Sequence, residues 1–377
     1  MTRLLLIGAG HAHAFVLEAL AKNPAPSIET TVVSDSRYAA YSGSVPAWLA
    51  GECSLRETQI DIQALCQRAG ARLIISPATG LSVEKREVTL KSGERVGFDV
   101  ASLNIGSTLA LPEQTSDNTP CLLAMRPLST LHQRWQALQD SVARLPNGGE
   151  QRVVSVGGGA AGCETLMSVL AQLRQKRPDI TWRGELLSAA DALLPEAGWL
   201  PRGLLQRALR RANITVHHRV RGRALSAGGV LDTAGRCYPA DIVLWATGAV
   251  GHPWLVDTAL PLDANGFIQV TKTLEVQGIP GLFAAGDCAA FDPPLPNAGV
   301  YAVRMGPLLA DNLRAACRGE SLAKWQPPKR VLALIGTGDG RAIASRGALG
   351  FSGKWVWRWK KRIDARFIAR FNPPFSD

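Results

Sequence analysis

The sequence lacks the paired cysteines that indicate a zinc ribbon or a local redox disulfide. Its 377 residues include seven cysteines, and no two of them are spaced as CxxC or CxxxxC. We therefore predict no metal site. Scattered cysteines are typical of proteins kept in a reducing compartment, which favours a cytoplasmic location.

Long apolar runs are also missing. No stretch reaches the roughly 18 residues that a membrane-spanning helix needs. The first apolar segment, residues 4–7, is followed by Gly8, Gly10 and two histidines rather than by a cleavage site, so we expect a buried first strand and no signal peptide. With 46% hydrophobic and 19% charged residues, the composition is that of a globular protein of two or three domains.

Acidic residues are scarce near the C-terminus, and the chain as a whole carries a net charge of +11. Residues 354–371 contain seven basic side chains and the single acid Asp364. Large apolar side chains recur there at every fourth position: Trp355, Trp359, Ile363, Phe367 and Phe371. This pattern predicts a basic amphipathic helix on an anionic membrane, on the inner face of the cell membrane. The alternative is a helix packed on its own protein, and no specific nucleic-acid binding is expected.

Two glycine-rich turns of the dinucleotide-binding kind are present. Gly8-Ala9-Gly10 and the run from Gly157 to Gly162 each follow a short apolar strand and precede a helical pattern. Glycine lets the backbone approach a pyrophosphate, and the helix N-terminus favours its negative charge. His13 occupies the third glycine position of the first turn, where we expect it to displace the helix or to face the phosphates. The two turns predict an α/β fold with two Rossmann-like domains.

Three further strand ends carry candidate binding residues. Asp35, one residue after the second strand, could bind a ribose hydroxyl or be a solvated turn residue. Thr247-Gly248 follows one strand, and Gly286-Asp287 follows another, where the carboxylate could accept hydrogen bonds from a sugar-alcohol chain. The strand after the second glycine turn ends at Ser188, with neither an acid nor an arginine, so NADH and NADPH both remain open.

In this order and spacing, the motifs resemble the pyridine nucleotide–disulfide oxidoreductase superfamily, and within it the type II NADH dehydrogenases and sulfide:quinone reductases. The resemblance covers residues 1–325. It implies that FAD binds at Gly8, Gly10 and Asp287, and NAD(P)H at Gly157, Gly159 and Gly162, with Thr247 and Gly248 at the domain junction. We add His11, Asp35 and Gly286 to the cofactor-binding set.

A closer resemblance is to the flavoprotein module that precedes selenophosphate synthetase in some bacterial fusions. It is carried by the segments GAGHAHAFVL, YAAYSGSVPAWLAG, LNIGST, NAGVYAVRMGP and GTGDGRAIASRG. The kinase itself is absent from this sequence. The resemblance implies a possible link to selenophosphate synthetase.

Residues 41–46 occupy the position where the superfamily brings a loop to the flavin. The disulfide branch has CxxxxC there, whereas this chain has none, so electrons should pass directly to a quinone-like or other small acceptor. Tyr41, Pro46 and Tyr301 are candidates for lining the flavin. The alternatives are a sulfur- or selenium-processing flavoprotein and a flavin-binding regulatory partner with little turnover.

The expected organisation has four segments. Residues 1–120 and 256–325 form a discontinuous FAD domain, residues 121–255 the NAD(P) domain, and residues 326–377 a C-terminal amphipathic appendage. Removal of residues 354–377 should abolish membrane binding and spare flavin reduction. No side chain needs to act as an acid or base in hydride transfer itself, so the catalytic residues stay unassigned.

Overall fold

The structure is a computed structural model that describes residues 1–195, 197–328 and 330–373. Its first large sheet has five parallel strands, and the first glycine turn follows strand β1 of this sheet. The strands are, in order across the sheet, β22 (Leu282–Ala284), β9 (Val100–Leu103), β1 (Thr2–Ile7), β2 (Ile28–Ser34) and β5 (Arg72–Ile75). Because β22 comes late in the chain and pairs with β9, this sheet is discontinuous in sequence.

The second large sheet is also parallel, with the second glycine turn after its central strand. Its order is β12 (Cys121–Ala124), β19 (Ile242–Trp245), β13 (Glu150–Val156), β14 (Thr181–Ser188) and β15 (Ile214–His218). All four residues of β19 are buried. Apolar strands buried on both faces are typical of parallel sheets covered by helices. The α/β fold with two Rossmann-like units is confirmed.

Eight α-helices surround these sheets. They are α1 (His11–Lys22), α2 (Val45–Leu49), α3 (Ile62–Ala69), α4 (Leu131–Ala143), α5 (Ala160–Lys176), α6 (Trp199–Arg211), α7 (Gly299–Arg318) and α8 (Lys354–Phe371) among the described residues. Short 3-10 turns cover Arg56–Thr58, Leu128–Thr130, Pro253–Asp257 and Gly286–Cys288. Helix α3 begins where Asp61 accepts the Ala64 amide at 3.1 Å and ends at Gly70 in the left-handed conformation, the usual signals at the two ends of a helix.

The remaining strands form smaller sheets. They are β3 (Tyr38–Ala40) with β4 (Gln59–Asp61); β6 (Ala78–Ser82), β7 (Glu87–Leu90) and β8 (Arg95–Gly97); β10 (Thr108–Leu109) with β20 (Ala249–Val250); β11 (Glu113–Gln114), β16 (Gly222–Ser226), β17 (Gly229–Asp232) and β18 (Cys237–Pro239); and β21 (Ile268–Gln269) with β23 (Ala289–Ala290). Strand β11 precedes residue 120 and pairs with β16. The four-segment division of the chain stays a prediction.

The C-terminal segment adds an antiparallel sheet and α8. The sheet contains β24 (Ala333–Gly336), β25 (Ala342–Arg346) and β26 (Leu349–Gly353). Helix α8 then packs against the rest of the protein through four buried apolar side chains, Val356, Trp357, Ile368 and Phe371, and through the buried Lys360. Among the described residues, none of the helices combines the length and hydropathy that crossing a bilayer requires.

The apolar row predicted for this helix does not form one face. A step of four residues overshoots a helical turn of 3.6 residues by about 40°, so the row winds around the helix. It starts at Trp355, which is 54% exposed, and ends at Phe371, which is fully buried. The prediction of a continuous membrane-facing row is therefore wrong for the C-terminal half of α8, which packs on its own protein.

Candidate functional site

The first glycine turn connects β1 to α1 and packs tightly against Asn104. Gly8 has a positive φ of 88°, which residues with side chains rarely adopt. A Cβ on Gly10 would lie 2.3 Å from Oδ1 of Asn104, so a larger residue could not fit. The Nδ2 of Asn104 donates to the carbonyl of Ala285 at 2.6 Å. Asn104, which the motifs did not reveal, thus ties the turn to the strand end before Asp287.

The third glycine position of this turn holds a buried histidine. The His13 imidazole lies 2.6 Å from the carbonyl oxygen of Gly8 and 2.9 Å from Oγ of Ser102. Burial lowers the pKa of His13 to about 4, so the ring is neutral at neutral pH. The imidazole therefore bridges the turn to β9, and we now assign it a structural role.

The carboxyl edge of the first sheet gathers the other predicted FAD residues. Gly8, Asp35 and Asn104 follow β1, β2 and β9, and ligands of open parallel sheets bind at this edge. Asp35 is exposed. Burial lowers the pKa of the nearby His252, and the Asp35 carboxylate partly opposes that change. The ribose-binding role of Asp35 stays a prediction.

Asp287 lies after β22 at the same edge and forms an ion pair with Arg126. Oδ2 of Asp287 lies 2.8 Å from Nη2 of Arg126. The side chain of Asp287 is 13% exposed and that of Arg126 is 27% exposed. Arg126 also donates to Oγ of Ser107 at 2.6 Å. Gly286, with a φ of 74°, makes the turn that positions the carboxylate. A carboxylate has lone pairs beyond those that one cation uses, so Asp287 can still accept from hydroxyl groups.

The second turn has the close contacts that a dinucleotide motif needs. Gly157 has a φ of 131°. A Cβ on Gly162 would lie 2.0 Å from the carbonyl oxygen of Gly157, whereas one on Gly159 would meet no protein atom within 4 Å. The third glycine thus allows helix α5 to pack on the turn, and the second faces space that a pyrophosphate could fill. Both turns therefore fit dinucleotides.

The end of β14 would meet the adenosine half of the nicotinamide cofactor. Ser188 is buried there, and a Cβ on Gly158 would lie 2.2 Å from its Oγ. Farther out, Nε of Arg219 pairs with Oδ1 of Asp191 at 2.6 Å, with both side chains more than two-thirds exposed. Among the described residues, this edge shows no feature that selects between NADH and NADPH.

Thr247 and Gly248 follow β19 at the carboxyl edge of the second sheet. The chain then enters β20, which pairs with β10 so that Val250 lies opposite Thr108. Strand β10 comes from the segment that leaves the first sheet after β9. Thr247 and Gly248 therefore lie where the chain passes between the two sheets, and their role at a domain junction stays a prediction.

The predicted flavin loop meets both α1 and α8. The Tyr41 ring lies 5.3 Å from the His11 ring and stacks on Phe367 at 4.3 Å between ring centroids. The structure thus brings together His11, which begins the helix after the first glycine turn, and Tyr41. Phe367 is a third aromatic residue at this place, contributed by the C-terminal helix.

The other two flavin-proximal candidates lie in helices. Pro46 is buried in the first turn of α2. Tyr301 lies in the first turn of α7, with its ring 6.4 Å from that of Trp325. These positions leave their contact with flavin a prediction.

A family model for pyridine nucleotide-disulphide oxidoreductases matches residues 2–308. The chain belongs to this family. An NADH dehydrogenase-like protein of Mycobacterium tuberculosis is 26% identical over 303 residues, covering 77% of this chain and 73% of the relative. A demethylphylloquinone reductase of Synechocystis is also 26% identical, over 71% and 67%. The sulfide:quinone oxidoreductase structure from Aquifex aeolicus has a TM-score of 0.78 at 16% identity, covering 99% and 92%.

Membership of the pyridine nucleotide-disulphide oxidoreductase family confirms several predictions made from the motifs. The chain is an oxidoreductase of the flavoprotein class, and its cofactors are FAD and NAD(P)H. The family match ends at residue 308, so the C-terminal sheet and α8 lie outside it.

This family member has no pair of reactive cysteines beside the flavin loop. All seven cysteines are free thiols. Burial raises the pKa of Cys163 to about 12 and the pKa of Cys53 and Cys288 to about 11, whereas a reactive thiol needs a lowered pKa. Within the described residues, no cluster of His, Cys, Asp and Glu has the geometry of a metal site.

A buried acid follows the second turn. Glu164 is the fifth residue of α5, and its Oε1 accepts the Gly336 amide at 2.6 Å. Burial raises the pKa of Glu164 to about 7, although the nearby Lys360 partly lowers it. Glu164 can therefore hold or release a proton near neutral pH. It stands two residues after Gly162 in the sequence, a position that we did not assign from the motif.

Proposed function

We propose that this chain passes electrons from NAD(P)H through FAD to a quinone-like acceptor at a membrane surface. We infer the acceptor class from the flavin loop, residues 41–46, because this loop has no disulfide to receive electrons. When bound, FAD would supply the two-electron chemistry between NAD(P)H and the acceptor. A relative named as a demethylphylloquinone reductase supports an acceptor of the quinone class.

The protein's own contribution is to bind and orient the two cofactors. The turn around Gly8 and Gly10 holds the FAD pyrophosphate, while Asp287 accepts hydrogen bonds from its sugar-alcohol chain. The turn from Gly157 to Gly162 holds the nicotinamide dinucleotide. Glu164, with a pKa near neutrality, holds a proton close to this second turn.

An exposed aromatic patch supports the membrane location. We define this patch by its members, which lie on the starts of α6 and α8 and on β26: Trp199, Leu349, Phe351, Trp355 and Trp359. Their exposed fractions run from 39% to 79%. Large apolar side chains that share one exposed region are uncommon on monomeric proteins and mark binding surfaces. Aromatic rings are well suited to the headgroup region of a bilayer.

The patch is continuous and surrounded by cations. Trp355 lies 6.3 Å from Phe351 and 6.5 Å from Trp359 between ring centroids. The hairpin turn at Ala348 packs against Gly198, which precedes Trp199. Exposed basic residues of α8 flank this surface: Lys354, Arg358, Lys361, Arg362 and Arg366. An anionic leaflet is the surface that this combination fits.

The sulfur- and selenium-processing alternatives share FAD with the proposed function and differ in the substrate that is oxidised or reduced. Sulfide oxidation of the sulfide:quinone type would need cysteines that meet, and the pKa of Cys163 and of Cys288 is raised by burial. Sulfide is therefore disfavoured as the electron donor, and NAD(P)H is favoured in that role. Selenite and sulfide remain the two comparison substrates, and the link to selenophosphate synthetase rests on sequence resemblance alone.

The test combines anaerobic reduction with an acceptor screen. Rapid mixing of the flavoprotein with NADH or NADPH should bleach the flavin at about 1 per second or faster, the usual enzyme range. Ubiquinone should then reoxidise it, and selenite should not; sulfide, offered in place of NADH, should not reduce the oxidised flavin. Absence of bleaching with both nucleotides would instead support the regulatory alternative.

Gly159→Val supplies the matched variant for this test. Its side chain enters the open space at the second turn, so NAD(P)H should no longer reduce the flavin, while dithionite still does. Gly203→Val, where a Cβ also meets no protein atom, is the control on helix α6 and should be reduced at the wild-type rate. Wild-type reduction of Gly159→Val would mean that the second turn is not the nicotinamide site.

A further inference from the structure

Helix α8 lies outside the family match, yet its inner face reaches both nucleotide-binding motifs. Phe367 contacts His11 at 5.8 Å between ring centroids, next to the first glycine turn. One helical turn earlier is Asp364, and two turns earlier is Lys360. The charges of both residues act on Glu164, which follows the second glycine turn. The helix is therefore a bridge between the FAD and the NAD(P)H motifs.

The charges on this face are buried or half-buried. The side chain of Lys360 is only 3% exposed, and its Nζ donates to Oδ2 of Asp364 at 2.8 Å. The same Nζ donates to the carbonyl of Gly43, in the flavin loop. The Tyr41 hydroxyl of that loop lies beside Asp364, and burial with this neighbouring charge raises its pKa. We call Lys360, Asp364, Glu164 and Tyr41 the Lys360 cluster; Lys360 is buried, and the other three residues are half-buried.

Such a cluster is poorly explained by stability alone. Removing charges from water is costly, and apolar residues of the same volume often stabilise a protein as well or better than a buried ion pair. Helix α8 already has apolar anchors in Val356, Trp357 and Phe371. A buried lysine and a half-buried aspartate between two cofactor motifs therefore point to an electrostatic role.

We propose that Lys360 and Asp364 are positioning residues of the flavin site, where their opposed charges and the Lys360–Gly43 contact set the redox potential of bound FAD. The proposal rests on the flavin function proposed above. Reduction adds negative charge to the flavin, and charges held nearby in a medium of low dielectric constant act strongly on it. A cation should favour the reduced form, and an anion should oppose it.

Two substitutions of the same ion pair test this with opposite signs. Lys360→Met leaves Asp364 and Glu164 without their cation, so the midpoint potential of FAD should fall. Asp364→Asn keeps the shape of the side chain but removes the negative charge that pairs with Lys360, so the midpoint potential of FAD should rise. We expect at least a tenfold change in the oxidised-to-reduced equilibrium in each case, which is about 30 mV for a two-electron couple. Lys85→Met makes the same chemical change at an exposed residue between β6 and β7, outside the proposed binding sites, and should leave the potential unchanged.

Potentials are measured by equilibration of each holoprotein with redox dyes. This titration needs neither nicotinamide nor quinone, so failure of the proposed acceptor does not affect it. Loss of packing alone could not move the potential in opposite directions. The proposal is overturned if both variants shift the potential in the same direction, or if neither shift exceeds that of Lys85→Met. If Lys360→Met does not fold, the test rests on the midpoint potential of Asp364→Asn. Any result other than a rise in that potential overturns the proposal.

Discussion

Asp287 and Arg126 form one binding edge although they stand far apart in the sequence. The ion pair has a separation of 2.8 Å and is mostly shielded from water. Arg126 restrains the carboxylate without using all of its lone pairs. The pair is thus suited to present Asp287 to the hydroxyl groups of FAD, since charge-assisted hydrogen bonds are stronger than neutral ones.

Asp287→Ala should therefore yield a folded protein that loses flavin. Hydrogen bonds to charged groups contribute about 1.5–3 kcal/mol, so flavin affinity should fall about tenfold or more. The flavin-to-protein absorbance ratio after gel filtration measures this loss. Asp287→Asn keeps one acceptor oxygen and should retain more flavin than the alanine variant. Full flavin occupancy in Asp287→Ala would contradict the assignment.

Sequence patterns predict residues of this edge only where local geometry requires a particular residue. Glycine at positions 8, 10 and 157 can be recognised because a turn or close contact demands it. Asn104 and Arg126 were not predicted, since their partners Ala285 and Asp287 follow a strand that is distant in the sequence. Tertiary pairing of this kind leaves no periodic or spacing signal in a single sequence.

At the scale of elements, α8 shows how a periodic pattern can mislead. Spacing by four residues identified the helix, but the rotation per step carries the row from the exposed to the buried side. The C-terminal end is fixed to the first sheet's domain: Arg370 pairs with Glu18 at 2.7 Å, and the Asn372 side chain accepts the Asp61 amide at 2.9 Å. The helix is therefore part of the fold, and we no longer expect truncation at residue 354 to spare flavin reduction.

Phe371→Ala should accordingly lower stability. The Phe371 ring is fully buried and lies 5.0 Å from that of Phe15 in the core beneath α1. Loss of a buried phenylalanine costs about 3–5 kcal/mol through lost burial and the cavity that remains. Denaturant unfolding measures the change. Trp359→Ala, on the exposed side of the same helix, should cost much less; equal costs would mean that α8 is not docked through Phe371.

At the scale of the whole molecule, the order of motifs was sufficient to predict two Rossmann-like sheets and the discontinuity of the first of them. Each sheet contains a unit of strand, glycine turn and helix, which a sequence displays directly. The exposed aromatic patch could not be predicted in the same way. It combines Trp199 with residues 349–359, which become neighbours only when the hairpin packs on the start of α6.

This patch predicts salt-sensitive binding to anionic membranes. Of the seven basic residues in α8, Lys360 is buried with Asp364 and Arg370 pairs with Glu18. The five exposed cations named above remain, and each contributes on the order of 1 kcal/mol near an acidic leaflet. Co-sedimentation with phosphatidylserine vesicles should therefore be strong at low salt and weaken as screening increases.

The aromatic share of this binding is tested by replacing Trp355 and Trp359 together with serine, which should weaken co-sedimentation while flavin content stays normal. Leu111→Ser removes an apolar side chain that is 62% exposed outside the patch, and it should bind vesicles like the wild type. Because α8 also docks through Phe371, vesicle binding should leave the helix in place and use only its outer side. Failure of the full-length protein to sediment with anionic vesicles at low salt would remove the membrane from the proposed function and leave the acceptor to be sought in solution.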